Sequence, residues 1–204
     1  AFRRKEFWSN VMLHTLSNRM ATRLANHGII NSESIEVYVY GLELVFSFFF
    51  SSVVILLIGI LLSRVWETIV FLTIFVLLRS FTGGYHAKTF TRCAIVTFTT
   101  YISVIVLSIF VSYIPLYVYI MGVVIGFLII AIVAPVEHPN KEIPQNKKIK
   151  HKITSMIIYL VFVTAGLFFH HYDMAITSSV FFSLVADIVL LLPKENMKGD
   201  LESG

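Results

Sequence analysis

The chain has 204 residues, 57% hydrophobic and 14% charged, with a formal net charge of +4, whereas soluble domains run nearer a quarter charged and half apolar. A mean hydropathy of +0.82 and apolar runs of about twenty residues, the length that crosses a bilayer core, make this a polytopic all-α membrane protein. A single cysteine excludes an intramolecular disulfide framework and any multi-cysteine zinc site; no metal signature, cofactor box, phosphate loop or nucleic-acid motif is visible.

Residues 1–30 place Trp8, Met12, Leu16, Met20 and Leu24 at every fourth position, with arginines, Asn and Ser over much of the rest. This is the pattern of an amphipathic helix in the membrane interface, or of one packed on the protein's own cytoplasmic face, and the two are compatible. His27-Gly28 is its stop. Arg3, Arg4, Lys5, Arg19 and Arg23 are dispersed among single apolar residues, unlike a signal peptide.

Six spans follow over residues 34–192. The first runs from about Ser34 to Leu62, with Glu43 one or two turns inside its apolar stretch. The second, Val65 to Phe81, is at the short end of the spanning range and leads directly into RSFTGGYHAKTFTRC, Arg79 to Cys93. The third is Ala94 to Ile114, and Pro115 breaks the helix before the fourth, Leu116 to Ala134. A polar loop, Val136 to Lys152, separates it from the fifth, Ile153 to His170, and His171-Tyr172-Asp173 separates that from the sixth, Met174 to Leu192. A short tail, residues 193–204, follows; the chain begins without a methionine and closes on GDLESG, so its ends look trimmed and Leu201 to Gly204 are given no structural weight. Residues 1–204 are expected to form one membrane domain.

Orientation follows from the basic residues. Fifteen of the sixteen lie in the N-terminal segment, the Arg79–Cys93 stretch, the Pro-rich loop and the tail, which alternate with loops carrying only Arg64. Lys and Arg accumulate on the cytoplasmic side, so both termini and the Arg79–Cys93 stretch are expected there.

That stretch is dense in reactive groups for so apolar a chain. A cysteine nucleophile needs thiolate character, a base, and donors for the oxyanion. Thr89 or Thr91 would cap the third helix and put Cys93 in its first turn, where the dipole and unpaired N–H groups favour thiolate. Arg92 and Lys88 add positive charge, His86 is the nearby histidine, and Gly83-Gly84 permits a tight turn. The structural alternatives are a cysteine packed in a helix, an interfacial histidine and a plain turn, and spacing alone does not decide between them. On one continuous helix seven residues rise about 10.5 Å, beyond hydrogen-bond reach. If His86 and Cys93 act together, residues 87–92 cannot all be helical.

The pattern of Arg79, Gly83, Gly84, His86 and Cys93, with APVEHPNK at Ala134 to Lys141 and the basic cluster after it, resembles the accessory gene regulator protein B family, membrane cysteine endopeptidases of bacterial quorum sensing. The resemblance covers essentially the whole chain. It implies a protein of the bacterial plasma membrane that binds a precursor peptide with an amphipathic leader and a charged, often acidic, C-terminal tail. Cys93 would be the nucleophile and His86 the general base and acid, with Arg79, Gly83 and Gly84 shaping the loop. Tail cleavage would give an acyl-enzyme, and an internal Cys or Ser of the precursor would close a thiolactone or lactone.

Physical reasoning adds further expectations. Lys147, Lys148, Lys150 and Lys152 would dock the acidic tail, although topology alone also explains them. Glu43 and Asp187 are acids in or near apolar runs, where such residues usually face an interior or cavity, and either would orient His86 or face substrate. His138 suits a loop role, His170 and His171 lie on the outer side, and Phe46, Phe48, Phe49 and Phe50 suit packing or lipid-facing surface. A homodimer is common for small membrane enzymes of this kind. The rival readings are an exporter of the same peptide, since discontinuous helices and intramembrane acids mark transport sites, and a non-catalytic scaffold.

Overall fold

The computed structural model describes residues 2–31, 34–83, 90–111, 113–136 and 145–192, of which 2–13, 40, 44, 90–92 and 145–146 are described as backbone only. Seven helices occupy them: α1 (Phe2–Asn26), α2 (Ile35–Leu61), α3 (Val65–Thr82), α4 (Phe90–Phe110), α5 (Leu116–Val133), α6 (Gln145–Phe169) and α7 (Met174–Leu191). Six of them, α2 to α7, are long and apolar enough to cross a membrane. The chain divides into two compact units, residues 1–57 with 87–98, and residues 58–86 with 99–204.

In the first unit α1 ends as the sequence predicts. The amide of Ile29 bonds Leu24 O at 3.0 Å and that of Gly28 bonds Ala25 O at 2.9 Å. Gly28 has φ +70°, the left-handed conformation that closes a helix and that glycine adopts without a Cβ penalty. Ser17 and Ala21 are fully buried, while Leu16 and Met20 stay exposed. Over this part of α1 the small Ser17 and Ala21 thus supply the packed face, and Leu16 and Met20 point outward.

The second unit is a bundle in which α3 packs on α6 and α7, α5 packs on the same two helices, and α6 packs on α7. The centre is α7, with half of its spanning window buried against about a fifth for α5. Large apolar side chains such as Phe110 and Ile132 remain exposed around the outside, as lipid requires. With lipid as apolar as the side chains, helices associate through close packing, small residues and hydrogen bonds. The α5–α6 seam shows all three. The Tyr119 hydroxyl of α5 donates to Val163 O of α6 at 3.1 Å, and the Tyr159 hydroxyl of α6 donates to Val123 O of α5 at 3.0 Å. Each ring needs a missing side chain opposite: a methyl at Gly166 would overlap the Tyr119 hydroxyl, and one at Gly126 the Tyr159 hydroxyl.

Helix ends in this unit have identifiable causes. Asp173 caps α7, accepting from Ala175 N at 2.9 Å and Ile176 N at 3.1 Å. Pro115 separates α4 from α5, and the carbonyl of Ile114 just before it is met by His170 Nε2 at 3.1 Å. At the start of α3, the Thr68 hydroxyl donates to Arg64 O at 2.6 Å and lies 2.8 Å from the Tyr101 hydroxyl.

The polar loop expected over 136–152 is shorter than that. Helix α6 begins at Gln145, so Lys147, Lys148, Lys150 and Lys152 stand on a helix. Lysine and glutamine are good helix formers, and Pro144 is tolerated beside a helix N-terminus. Hydropathy had marked where the chain leaves lipid, not where it stops being helical.

Candidate functional site

The C-terminal end of α3 carries the first half of the Arg79–Cys93 motif. The Thr82 hydroxyl donates to Leu78 O at 3.0 Å, and Gly83 N donates to Arg79 O at 3.1 Å, closing the last turn. Gly83 has φ +72°, and a Cβ there would collide with Val136 O. Both facts demand glycine. Val136 N in turn donates to Thr82 O at 2.8 Å, so Gly83 and Val136 form an isolated parallel bridge. The two motifs separated in sequence, RSFTGG and APVEHP, are therefore joined through their backbones.

Above this turn lies a buried polar row. Asp187 on α7 is 8% exposed, and neither of its carboxylate oxygens has a hydrogen-bond partner among the described residues. On α3, which packs against α7, the Arg79 guanidinium sits 5.3 Å from the centre of the Phe75 ring. Ser183 and Ser179, one and two turns back along α7, are buried with their hydroxyls likewise unpartnered. Other hydroxyls in such helices bond a local carbonyl: Thr177 donates to Asp173 O at 3.0 Å. The unpartnered groups thus form a stripe on one face of α7, spaced by four.

On the same end of the bundle, Phe81 of α3 packs against the His151 ring of α6 with centroids 5.6 Å apart. His151 Nδ1 is buried without a partner. Lys148, His151, Lys152 and Ser155 share a face at helical spacing; the first three are partly buried and Ser155 fully, whereas Lys147 and Lys150 are exposed. The basic cluster thus divides into an inward and an outward pair. His151 was hidden in the sequence by its lysine neighbours, and the spacing of four between Lys148 and Lys152 was the signal that could have found it.

In the first unit, Cys93 stands three residues beyond Phe90, the first described residue of α4, and is partly buried. Its carbonyl accepts the Thr97 hydroxyl at 3.0 Å. Glu43, buried in α2, receives His14 Nδ1 of α1 at 2.6 Å. This pairing of a titratable residue in the amphipathic segment with an intramembrane acid was not legible in the sequence. His86, Gly84 and His138 lie outside the described residues, as do 87–89 of the stretch expected to bend; Phe90 to Arg92 are helical. Of the expected site residues, the structure brings together Gly83 with the segment preceding His138. Glu43 has His14 as its described partner. Among the described residues no group of three His, Cys, Asp or Glu side chains is placed to hold a metal ion.

A family model described as Accessory gene regulator B matches residues 17–191. No curated protein and no solved structure is matched.

Proposed function

The chain belongs to the accessory gene regulator B family, a multi-pass membrane family of quorum sensing that acts in processing of autoinducing peptides, and from that premise we propose that it is a cysteine endopeptidase that cleaves and cyclises a precursor peptide at the cytoplasmic face. The observation that carries this reading is the position of Cys93 at the start of α4. Unpaired backbone N–H groups and the positive end of the helix dipole favour a thiolate there and offer donors to an oxyanion.

In the proposed reaction the Cys93 thiolate attacks the carbonyl carbon of the peptide bond preceding the tail. The S–C bond forms, the C–N bond breaks, and His86 gives its proton to the leaving amine. A thiol or hydroxyl within the precursor then loses its proton to His86 and attacks the thioester carbonyl, which releases Cys93 and closes a thiolactone or lactone. Water must be kept from the acyl-enzyme, or hydrolysis gives a linear product. A thioester product leaves the reaction reversible, so removal of tail or ring draws it forward. The amphipathic α1 lies in the interface with Leu16 and Met20 toward lipid, and Arg79, Gly83 and Gly84 shape the turn that presents His86.

The lysines of α6 dock the acidic tail of the precursor. Their division into inward and outward pairs makes this sharper: Lys148→Glu with Lys152→Glu raises KM for precursor more than Lys147→Glu with Lys150→Glu, since the inward pair is more desolvated and its charges are less screened. Equal effects, or none, would return the cluster to topology alone. Glu43 and Asp187 are further candidates near the chemistry, and normal processing by Glu43→Gln would remove Glu43 from that set.

The deciding experiment is reconstitution of purified protein in sealed liposomes with precursor. Wild type cleaves and yields a ring, and Cys93→Ala and His86→Ala yield neither. Translocation of intact precursor without cleavage would overturn the endopeptidase in favour of an exporter.

A further inference from the structure

We propose that α1 is a strap, hinged at Gly28 and clipped to the first span α2 by the contact between His14 and Glu43. Breaking this one contact releases α1 from α2 while both helices stay folded. All the residues involved belong to the first compact unit, and the release requires no catalysis.

The clip lies where two helix faces meet. On α2, Val39, Glu43, Ser51 and Ile55 are buried at spacings of four and eight, while Val45, Phe49 and Val53 are exposed. Glu43 therefore points into the protein, and a carboxylate in an apolar span needs a partner there. On α1, His14 precedes the buried Ser17 and Ala21 by three and seven residues, the spacing of one helix face. Its Nδ1 donates to Glu43 Oε1 at 2.6 Å, across 29 positions of sequence. The histidine side chain is 64% exposed and that of the glutamate 10%, so the contact sits at the edge of the packed face with one partner enclosed. A hydrogen bond to an enclosed carboxylate is of the strong kind, unlike a pair between two exposed side chains.

The other described packing on α1 is thin. Ser17 and Ala21 bring a hydroxymethyl and a methyl group to the buried face, and groups that small bury little apolar surface. The Ser17 hydroxyl has no hydrogen-bond partner among the described residues. Leu16 and Met20 are exposed, as are Arg19 and Arg23, so none of the four adds to the hold. Leu24 and Ala25 are partly buried, but they stand next to the end of the helix.

That end is the hinge. Gly28 has φ +70°, and a Cβ there would meet nothing within 4 Å, so this residue can change conformation without a steric penalty. His14 stands fourteen positions before Gly28, about 21 Å along a helix at 1.5 Å per residue. A contact that far from the hinge controls the swing of α1, whereas contacts beside Gly28 do not. The role this gives Glu43 is to hold α1, separate from any part in the chemistry.

The test reads the distance between spin labels at Asn18→Cys on α1 and Val45→Cys on α2, both exposed positions. It uses the full chain in lipid nanodiscs with Cys93, the single native cysteine, replaced by alanine. With His14 and Glu43 in place, one narrow distance is expected. His14→Ala adds a second, broader population, the released fraction rising about tenfold or more, with helical circular dichroism unchanged. His14→Asn, whose side-chain amide nitrogen stands where Nδ1 does, keeps the single distance. Glu43→Leu, similar in size but without an acceptor, releases α1 as His14→Ala does. The two together release it no further, because partners in one contact are not additive. A wild-type distance in His14→Ala and Glu43→Leu overturns the proposal, as does release by His14→Asn equal to that by His14→Ala. Additive release in the double variant overturns it too, since two independent contacts would then hold α1. Loss of helical signal in His14→Ala does the same, because α1 would then unfold instead of detaching.

Discussion

The two ends of the α3–α5–α6–α7 bundle treat their buried polar groups in opposite ways. At the end where α5 and α7 begin, nearly every such group is answered within the protein. Thr177 donates to Asp173 O at 3.0 Å, Ser178 donates to Val111 O at 3.2 Å, and His170 Nε2 meets Ile114 O. Among the described residues, His170 Nδ1 and the Ser179 hydroxyl are left over there. From the middle of α7 toward the end where α3 and α7 finish, Ser183, both Asp187 oxygens and His151 Nδ1 have no hydrogen-bond partner among the described residues. In lipid an unanswered polar group is more unfavourable than in a soluble core, since no solvent substitutes for the missing partner. An end that retains several is therefore set apart by something other than stability. That end is also where Gly83 meets Val136 and where the His86 stretch departs.

From this contrast, substitutions at the satisfied end and along the seam are expected to change stability and leave chemistry alone, while those at the other end do the reverse. The largest stability effect belongs to Gly126→Leu, whose side chain would occupy the space of the Tyr159 hydroxyl and Ile188. Overpacking of this kind costs about 3 kcal/mol, read as a fall in midpoint of unfolding in detergent, and survival of wild-type stability would dismantle the account of the seam. Tyr159→Phe and Tyr119→Phe each lose one interhelical bond and are expected to cost about 1 kcal/mol, with cleavage per folded molecule unchanged. Ser178→Ala loses its bond to Val111 O and costs about 0.5 kcal/mol or somewhat more. Ser183→Ala, the same substitution five residues along the same helix, removes a hydroxyl with no partner and shifts the midpoint by about nothing or slightly upward. Equal losses from Ser178→Ala and Ser183→Ala would erase the distinction between the ends.

The spans were legible because lipid imposes a length on apolar runs: α2, α3, α5 and α7 fall within a few residues of the limits read from hydropathy. Helix α6 was mislocated at its start because Gln145 to Lys152 are polar yet helical, a state that hydropathy does not register. The end of α1 at Gly28 was readable from one residue, since a left-handed closure is local chemistry. The site was legible in kind but not in assembly. Gly83 and Val136, and Glu43 and His14, meet only because separate segments pack, and no periodicity within a segment encodes which neighbour it will have. His151 was missed for a simpler reason, that five basic residues within six positions look alike until a helix sorts them by face.

The reciprocal tyrosines of α5 and α6 have a mechanical consequence. Sliding one helix along the other by a turn, about 5.4 Å, would break both hydroxyl bonds at once and drive each ring out of the gap opposite its glycine into a neighbouring side chain. Because the two contacts point in opposite senses along the seam, neither direction of travel relieves one without straining the other. Helices α5 and α6 therefore move as a single lever, carrying Val136 at one end of it, and any opening of the bundle must be taken up where α3 and α7 adjoin that lever.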